Sequence, residues 1–332
     1  MPTRVTIEAL ADWLRDRDDI VVLGHVSPDG DAAGSTLAIW HALRAMGRRA
    51  AVALPGGIPR MYRFLPGAER VVATGELLPF TPRAALAVDV SDLGRLGDEG
   101  KVLFESCPAR AALDHHATNE GLGDLYALDG DAAAVGELVV DLIGALGVHM
   151  TREMAECLFV AISTDCGQFN YANTRPGTLT AAAKCLEAGI DVSGITEKLY
   201  RTRSLGRTRL LGIVLSGLEI SPDGRMAWAR LTEQMLTDAG ARREDNEGIV
   251  NYLLEIEGVQ LAILAEQRGE ATKFSLRSKA PVDVARDIAR PLGGGGHDRA
   301  AGATLEMAME PALEKVLGIA RGVLDGAERG EA

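Results

Sequence analysis

The stretch GHVSPDGDAAGS, residues 24–35, places one imidazole and two carboxylates, His25, Asp29 and Asp31, within seven residues. Buried without a counter-ion, these groups would repel one another and lose solvation at high cost, which a bound cation removes. Taken alone, the stretch also fits a solvated Asp/Gly turn with an incidental histidine. Other segments repeat the pattern: RAALAVDV, residues 83–90, delivers Asp89, and ARAAL, residues 109–113, delivers Asp114, His115 and His116. Asp165 follows the apolar segment REMAECLFVAIS, residues 152–163. Asp89 or Asp165 singly reads equally well as an ordinary carboxylate at the end of an element. Jointly, His25, Asp29, Asp31, Asp89, His115 and Asp165 supply enough ligands for two adjacent divalent cations, with one aspartate shared. Oxygen and imidazole donors without a thiolate suit Mn²⁺ or Mg²⁺ better than a structural zinc site. Two such ions about 3.5–4 Å apart can activate water and offset charge on a phosphoryl group during in-line displacement.

These side chains need a scaffold that brings distant segments together. Ile20 to Leu23 is short and rich in β-branched residues, as in a buried strand. Leu37, Trp40 and Leu43 then recur at helical spacing, which predicts a helix over 34–46, closed by Gly47, with the polar cluster in the preceding turn. Residues 49–54, 83–90 and 109–113 read as further strands. Strands that each end on metal-capable side chains follow the ligand-binding logic of an open parallel sheet. Helices are predicted over 7–14, 132–146, 152–163 and 178–188. Residues 191–209 turn polar and basic, with Arg201, Arg203, Arg207 and Arg209, and read as a connecting helix or linker with a solvated face. Beyond it, strands at 226–231, 260–266 and 272–277 alternate with helices near 232–239, 244–254, 282–290 and 310–324. The expected fold is α/β: an N-terminal, mainly parallel-sheet domain over 1–190, a linker over 191–209, and a smaller α/β domain over 210–332.

A chain of 332 residues with 47% apolar and 25% charged residues can bury the cores of two globular domains. No apolar run is long enough to cross a bilayer, and the N-terminus lacks a signal-peptide pattern, so a cytoplasmic location without membrane partners is expected. Cys107, Cys157, Cys166 and Cys185 show no CxxC pairing and are read as reduced thiols. Cys166 stands next to Asp165, but no local histidine is free to activate it as a nucleophile. The formal net charge of −12 argues against gripping long nucleic acid, whose affinity comes from neutralising many phosphates. An acidic chain acting on an anion would need metal ions to offset the charge.

A second candidate site is GGGGHDRAAGA, residues 293–303, where successive glycine amides could turn toward an anion in a nest. Arg277, upstream in SLRSK, could fork onto a phosphate or sit in a surface salt bridge.

Together these motifs resemble those of the DHH phosphoesterases: GHVSPDGDAAGS, AVDVSDLGR, LDHHATN and STDCGQFNYANT in order, followed by the glycine-rich GGGGHDRAAGA of the DHH-associated domain. The resemblance spans nearly the whole chain and is strongest to the NrnA-type branch, bifunctional oligoribonucleases and 3′-phosphoadenosine 5′-phosphate (PAP) phosphatases. By motif position it implies one cation on His25, Asp29 and Asp89, and a second on Asp31, Asp89, His115 and Asp165. Asp89 is then the bridge, and the metal is expected to be manganese, with magnesium or cobalt as alternatives. His116 would face the scissile phosphate, or else support His115, and Asp114 would orient an imidazole. Arg277, Gly295, Gly296 and His297 would hold the nucleotide and its terminal phosphate, with the active site in the cleft between the domains. Ser91, Asp92 and Arg95 flank the second motif as either contact or support. The resemblance implies hydrolysis of short single-stranded RNA or small nucleotides to nucleoside monophosphates, no action on long duplexes, and a homodimer. A cyclic-dinucleotide phosphodiesterase shares these motifs, and a noncatalytic nucleotide sensor is the alternative from another class.

Overall fold

Residues 20–23, Ile-Val-Val-Leu, are buried on both faces, as a central strand covered by helices on each side requires. The structure, a computed structural model, describes residues 2–328, apart from the side chains of residues 297, 327 and 328. It divides into two compact units, Met1–Thr202 and Arg203–Ala332.

In chain order the first unit contains β1 (Thr3–Arg4), α1 (Ile7–Arg15), β2 (Ile20–Leu23), α2 (Gly30–Ala45), β3 (Ala50–Leu54), β4 (Val72–Ala73) and β5 (Ala84–Val88). It continues through α3 (Gly97–Ser106), β6 (Ala109–Asp114), β7 (Leu125–Leu128), α4 (Val135–Ala145), α5 (Arg152–Asp165), α6 (Pro176–Glu187) and α7 (Val192–Thr196). The strands pair in the order β1-β7-β6-β5-β2-β3-β4, with every pairing parallel. From β2 the chain moves outward to β3 and β4, then returns to the other side of β2 as β5. A topological switch point therefore lies between β2 and β5, where open parallel sheets place their ligands.

The apolar spacing in α1 is realised: Thr6 caps the helix by accepting from the Ala9 amide, and Leu10, Ala11 and Leu14 are buried. One face of the sheet packs with α1, α2, α4 and α5 around Val22, Leu37, Leu86, Leu113, Leu142 and Leu158. The other face is closed by Phe104 of α3 with Val21, Leu23 and Leu96.

The helix expected over 34–46 instead begins at Gly30, because Asp29 is its N-cap and accepts from the Asp31 and Ala32 amides. Asp31 therefore sits in the first helical turn, not in the preceding loop. Gly34, the first residue of the expected helix, lies inside α2. A Cβ there would run into the Cys157 carbonyl oxygen of α5 and stand 3.0 Å from Ala161 Cβ. Residues 191–209 are mostly helical: α7, a π-turn at Glu197–Arg201, a break at 202–204, and the start of the next helix.

The second unit contains α8 (Leu205–Ser216), β8 (Glu219–Ile220), β9 (Met226–Leu231), α9 (Glu233–Ala239), α10 (Ile249–Leu254), β10 (Leu261–Arg268), β11 (Ala271–Ser278), β12 (Gly295–His297), β13 (Ala300–Leu305) and α11 (Met309–Glu328). Its sheet runs β12-β13-β11-β10-β9-β8, antiparallel except for β9 with β10. In β11, buried Thr272, Phe274, Leu276 and Ser278 alternate with more exposed residues, the period-2 pattern of a strand with one covered face. α11 and the π-turn Ala285–Ala289 pack on one face of the sheet; α8, α9 and α10 pack on the other.

Two expected helices are broken. Residues 244–254 split into a 3₁₀ turn, Arg243–Asn246, and α10, with Gly248 at φ +79° between them. Of residues 282–290, Ala285–Ala289 form the π-turn, which runs into a 3₁₀ turn at Arg290–Leu292 containing Pro291. The glycine run is not a nest. It forms the hairpin β12–β13, and the Gly293 and Gly294 amides are spent on the Arg290 and Ala289 carbonyls. Gly294 is required there because a Cβ would lie 2.7 Å from Ala303 Cα. Among the described residues no helix is long and apolar enough to cross a membrane.

Candidate metal centre

β2 and β5 pair in parallel, and their C-terminal ends deliver His25 and Asp89 to the switch point. β6, beside β5, ends in Asp114 and is followed by His115 and His116. Asp29 and Asp31 open α2, and Asp165 closes α5. The close crossing of α2 and α5 at Gly34 lets the two helices bring Asp31 and Asp165 to one place. Asp89 itself adopts φ +61°, a left-handed conformation uncommon for a non-glycine residue and concentrated at functional sites.

The side chains form three overlapping groups with ligand atoms within 4.8 Å of one another: His25, Asp29 and Asp89; Asp89, His115 and His116; and Asp31, His115 and Asp165. His25 Nε2 lies 3.5 Å from Asp29 Oδ1 and 3.4 Å from Asp89 Oδ2. His115 Nε2 lies 3.6 Å from Asp89 Oδ1 and 3.5 Å from Asp165 Oδ2. The two oxygens of Asp89 therefore face different imidazoles. Asp89 Oδ1 is buried with no hydrogen-bond partner. An orphaned buried carboxylate oxygen costs free energy unless something positive meets it.

Each ligand imidazole is turned by a backbone carbonyl. His25 Nδ1 lies 2.8 Å from the Val26 oxygen and His115 Nδ1 lies 3.1 Å from the Ala132 oxygen. Donation from Nδ1 leaves the Nε2 lone pair pointing at the carboxylates, the tautomer that binds metal. Spacings of 3.4–3.6 Å are long for N–H···O bonds. Donor atoms each about 2.1 Å from a shared cation stand roughly 3–3.5 Å apart, so the donor set fits a divalent cation.

The electrostatics agree. Burial pushes the Asp31 and Asp165 carboxyls up, Asp31 aided by the nearby Asp89 charge and Asp165 by Asp31. Burial would also raise Asp89, but His115 and His25 hold it well below the usual carboxylate range. Burial alone would lower both imidazoles, yet Asp29 and Asp89 lift His25 to about 10, and Asp89, Asp31 and Asp165 lift His115 to about 11. Protons on the imidazoles thus do the neutralising that a divalent cation would do when it displaced them.

Asp31 has a further task that the sequence did not reveal. Its Oδ2 accepts from the Val135 amide at 2.6 Å, and its Oδ1 from the Gly136 amide and the Ser35 hydroxyl, both at 2.9 Å. It therefore caps α4 while facing the cluster. Asp114 is buried behind His116: its Oδ1 accepts from His116 Nδ1 and from the His115 amide, both at 2.8 Å. Asn119, the last residue of the LDHHATN motif and given no role by it, donates to Asp114 Oδ2 at 2.7 Å and to the Val90 carbonyl at 3.1 Å. Asn173 likewise donates to the Asp165 and Ala133 carbonyls.

Asp92 caps the 3₁₀ turn Leu93–Leu96 by accepting from the Gly94 and Arg95 amides, and Ser91 donates to it. Cys166 is fully buried and its thiol pKa is raised by that burial, which does not favour a nucleophile. In the second unit, Arg277 stands opposite Ala300 in the register, and Ala300 opposite the backbone of His297. Arg277 Nη1 donates to the Leu276 carbonyl at 2.9 Å. Gly295 and Gly296 pair with Gly302 and Ala301, and the His297 side chain lies outside the described part of the structure.

Residues 19–162 match the model of the DHH family, N-terminal domain, and residues 225–324 match the DHHA1 domain. The chain is 40% identical to the bifunctional oligoribonuclease and PAP phosphatase NrnA of Thermus thermophilus, over 90% of this chain and 88% of that protein. It is 26% identical to the cyclic-di-AMP phosphodiesterase PdeA of Listeria monocytogenes, over 89% of this chain but 46% of that protein. An exopolyphosphatase-related protein from Bacteroides fragilis shares the fold, with a TM-score of 0.88, 29% identity, and coverage of 96% of this chain and 95% of that one.

Proposed function

The chain belongs to the DHH family, and from that premise we propose that it is a metal-dependent phosphoesterase. Its substrates are short oligoribonucleotides, hydrolysed to nucleoside monophosphates, and PAP, hydrolysed to AMP. The observation that carries this reading is the buried, partnerless Asp89 Oδ1, set among imidazoles whose Nε2 atoms converge on carboxylates.

His25, Asp29 and Asp89 would hold one divalent cation, and Asp31, Asp89, His115 and Asp165 a second. Manganese is the ion proposed, from a donor set of oxygen and imidazole alone. When bound, the cations supply the Lewis acidity that acidifies water and offsets phosphoryl charge. The protein's own part is positional. Val26 and Ala132 fix the imidazole tautomers of His25 and His115, and the α4 amides with Ser35 fix Asp31. His116, its Nδ1 hydrogen-bonded to Asp114, would face the scissile phosphate through its ring and pass a proton to the leaving oxygen.

In the second unit, Arg277, Gly295, Gly296 and His297 are proposed to hold the nucleotide part of the substrate. The net charge of −12 favours substrates of a few nucleotides over long strands, and such substrates belong to the cytoplasm. A second reading, cleavage of cyclic dinucleotides, is favoured by the similarity to PdeA. The test is hydrolysis, with Mn²⁺, of a two- to five-nucleotide RNA, PAP and cyclic di-AMP side by side. Turnover of the first two supports the proposal, and turnover of the cyclic dinucleotide alone selects the second reading. Bound metal without turnover of any would indicate a sensor.

A further inference from the structure

Arg95 stands beside the metal centre with no part in the arrangement above. Its backbone is pinned at both ends: its amide donates to Asp92, and its carbonyl accepts from the Val26 amide at 2.7 Å, tying the turn to the residue after His25. Its side chain is exposed, and Nη2 lies 3.2 Å from His25 Nδ1. In the metal-binding tautomer this approach is not a hydrogen bond. Nδ1 donates to the Val26 oxygen at 2.8 Å, and a guanidinium has donors only. Among the described residues no carboxylate lies within ion-pair distance of Arg95, although the chain as a whole is acidic. The guanidinium therefore carries unspent donors next to the His25–Asp29–Asp89 group.

We propose that Arg95 is a catalytic residue whose guanidinium grips a non-bridging oxygen of the phosphoryl group being hydrolysed. The inference rests on the phosphoesterase reading. During hydrolysis a bond forms from the water oxygen to phosphorus, the ester P–O bond breaks, and the water proton ends on the leaving oxygen. Arg95 stays protonated throughout and bears part of the charge on the equatorial oxygens, and its planar fork suits that task. The rival role is structural, a clamp that merely keeps His25 in place.

Arg95→Gln and Arg95→Lys separate the two roles. Arg95 is exposed, so both variants should fold, and a thermal melt checks it. Each is titrated with Mn²⁺, assayed on a short RNA, and tested for inhibition by inorganic phosphate. The expected result is Mn²⁺ binding within about twofold of wild type, with kcat lowered about a hundredfold in the glutamine variant. Inhibition by phosphate should weaken in parallel, and lysine should restore part of the rate. Weakened Mn²⁺ binding, with wild-type kcat recovered at saturating metal, would make Arg95 a support for His25 and overturn the proposal. So would an unchanged kcat in the glutamine variant, while leaving the phosphoesterase reading intact. A manganese-loaded wild type inert on every phosphoester would remove both.

Discussion

A single methyl group added at Gly34 should damage the metal centre without touching any ligand. In Gly34→Ala the new Cβ runs into the Cys157 carbonyl oxygen and stands 3.0 Å from Ala161 Cβ and 3.1 Å from the Ala161 amide nitrogen. The collision is with backbone, so no rotamer change relieves it. Relief requires α2 and α5 to part by about 1 Å to restore ordinary contact distances. Overpacking of this kind costs about 1–3 kcal/mol. For a unit near 200 residues that is a fall in melting temperature of roughly 2–12 °C. The larger effect should be on function: the same displacement separates Asp31, at the start of α2, from Asp165, at the end of α5, so Mn²⁺ affinity should fall with stability. Differential scanning calorimetry and Mn²⁺ titration on the same preparation measure both. An alanine variant with wild-type melting temperature and wild-type Mn²⁺ affinity would refute the claim that this crossing sets the ligand geometry.

Other perturbations isolate other parts. Asp89→Asn should remove a shared ligand and lower turnover by about a thousandfold or more, with fewer Mn²⁺ ions bound per chain by equilibrium dialysis. Asp114→Asn should leave Mn²⁺ stoichiometry unchanged but lower kcat about 10- to 100-fold in steady-state assays, because one amide oxygen cannot accept from both Asn119 and His116 and the charged partner that orients His116 is lost. Metal binding should release protons, since His25 and His115, raised to about 10 and about 11 in the metal-free protein, must deprotonate to ligate. Apparent Mn²⁺ affinity should therefore rise with pH, and calorimetry in buffers of different ionisation enthalpy counts the protons. For metal-free protein the sign runs the other way. The raised histidine pKa values stabilise the fold fully below about 6.5, and that stability is lost as pH rises toward about 10, so the melting temperature in EDTA should fall over that window.

The central strands were legible because burial on both faces demands short apolar runs, and the carboxylates and imidazoles at their ends stood out against them. The start of α2 was not, because Asp29 serves as both cap and candidate ligand. The capping of α4 by Asp31 spans more than a hundred residues, and the carbonyls of Val26 and Ala132 that set the imidazole tautomers carry no side-chain signature at all. Asn119 ends the LDHHATN motif, but only its burial between Asp114 and Val90 shows what it holds. The glycine run at 293–296 suggested a nest because glycine permits one, whereas cross-strand crowding accounts for Gly294 and Gly296 and a left-handed turn, φ +79°, for Gly293. In the second unit, Gly248 breaks an apolar pattern whose spacing alone reads as continuous helix.

Anomalous diffraction at the manganese edge, from crystals equilibrated with Mn²⁺, is the most direct measurement of whether Asp89 bridges two ions. Two peaks per chain are expected, each within bonding distance of a different Asp89 oxygen, one also ligated by His25 and the other by His115. A single peak, or peaks that leave Asp89 unbound at saturating manganese, would contradict the binuclear centre.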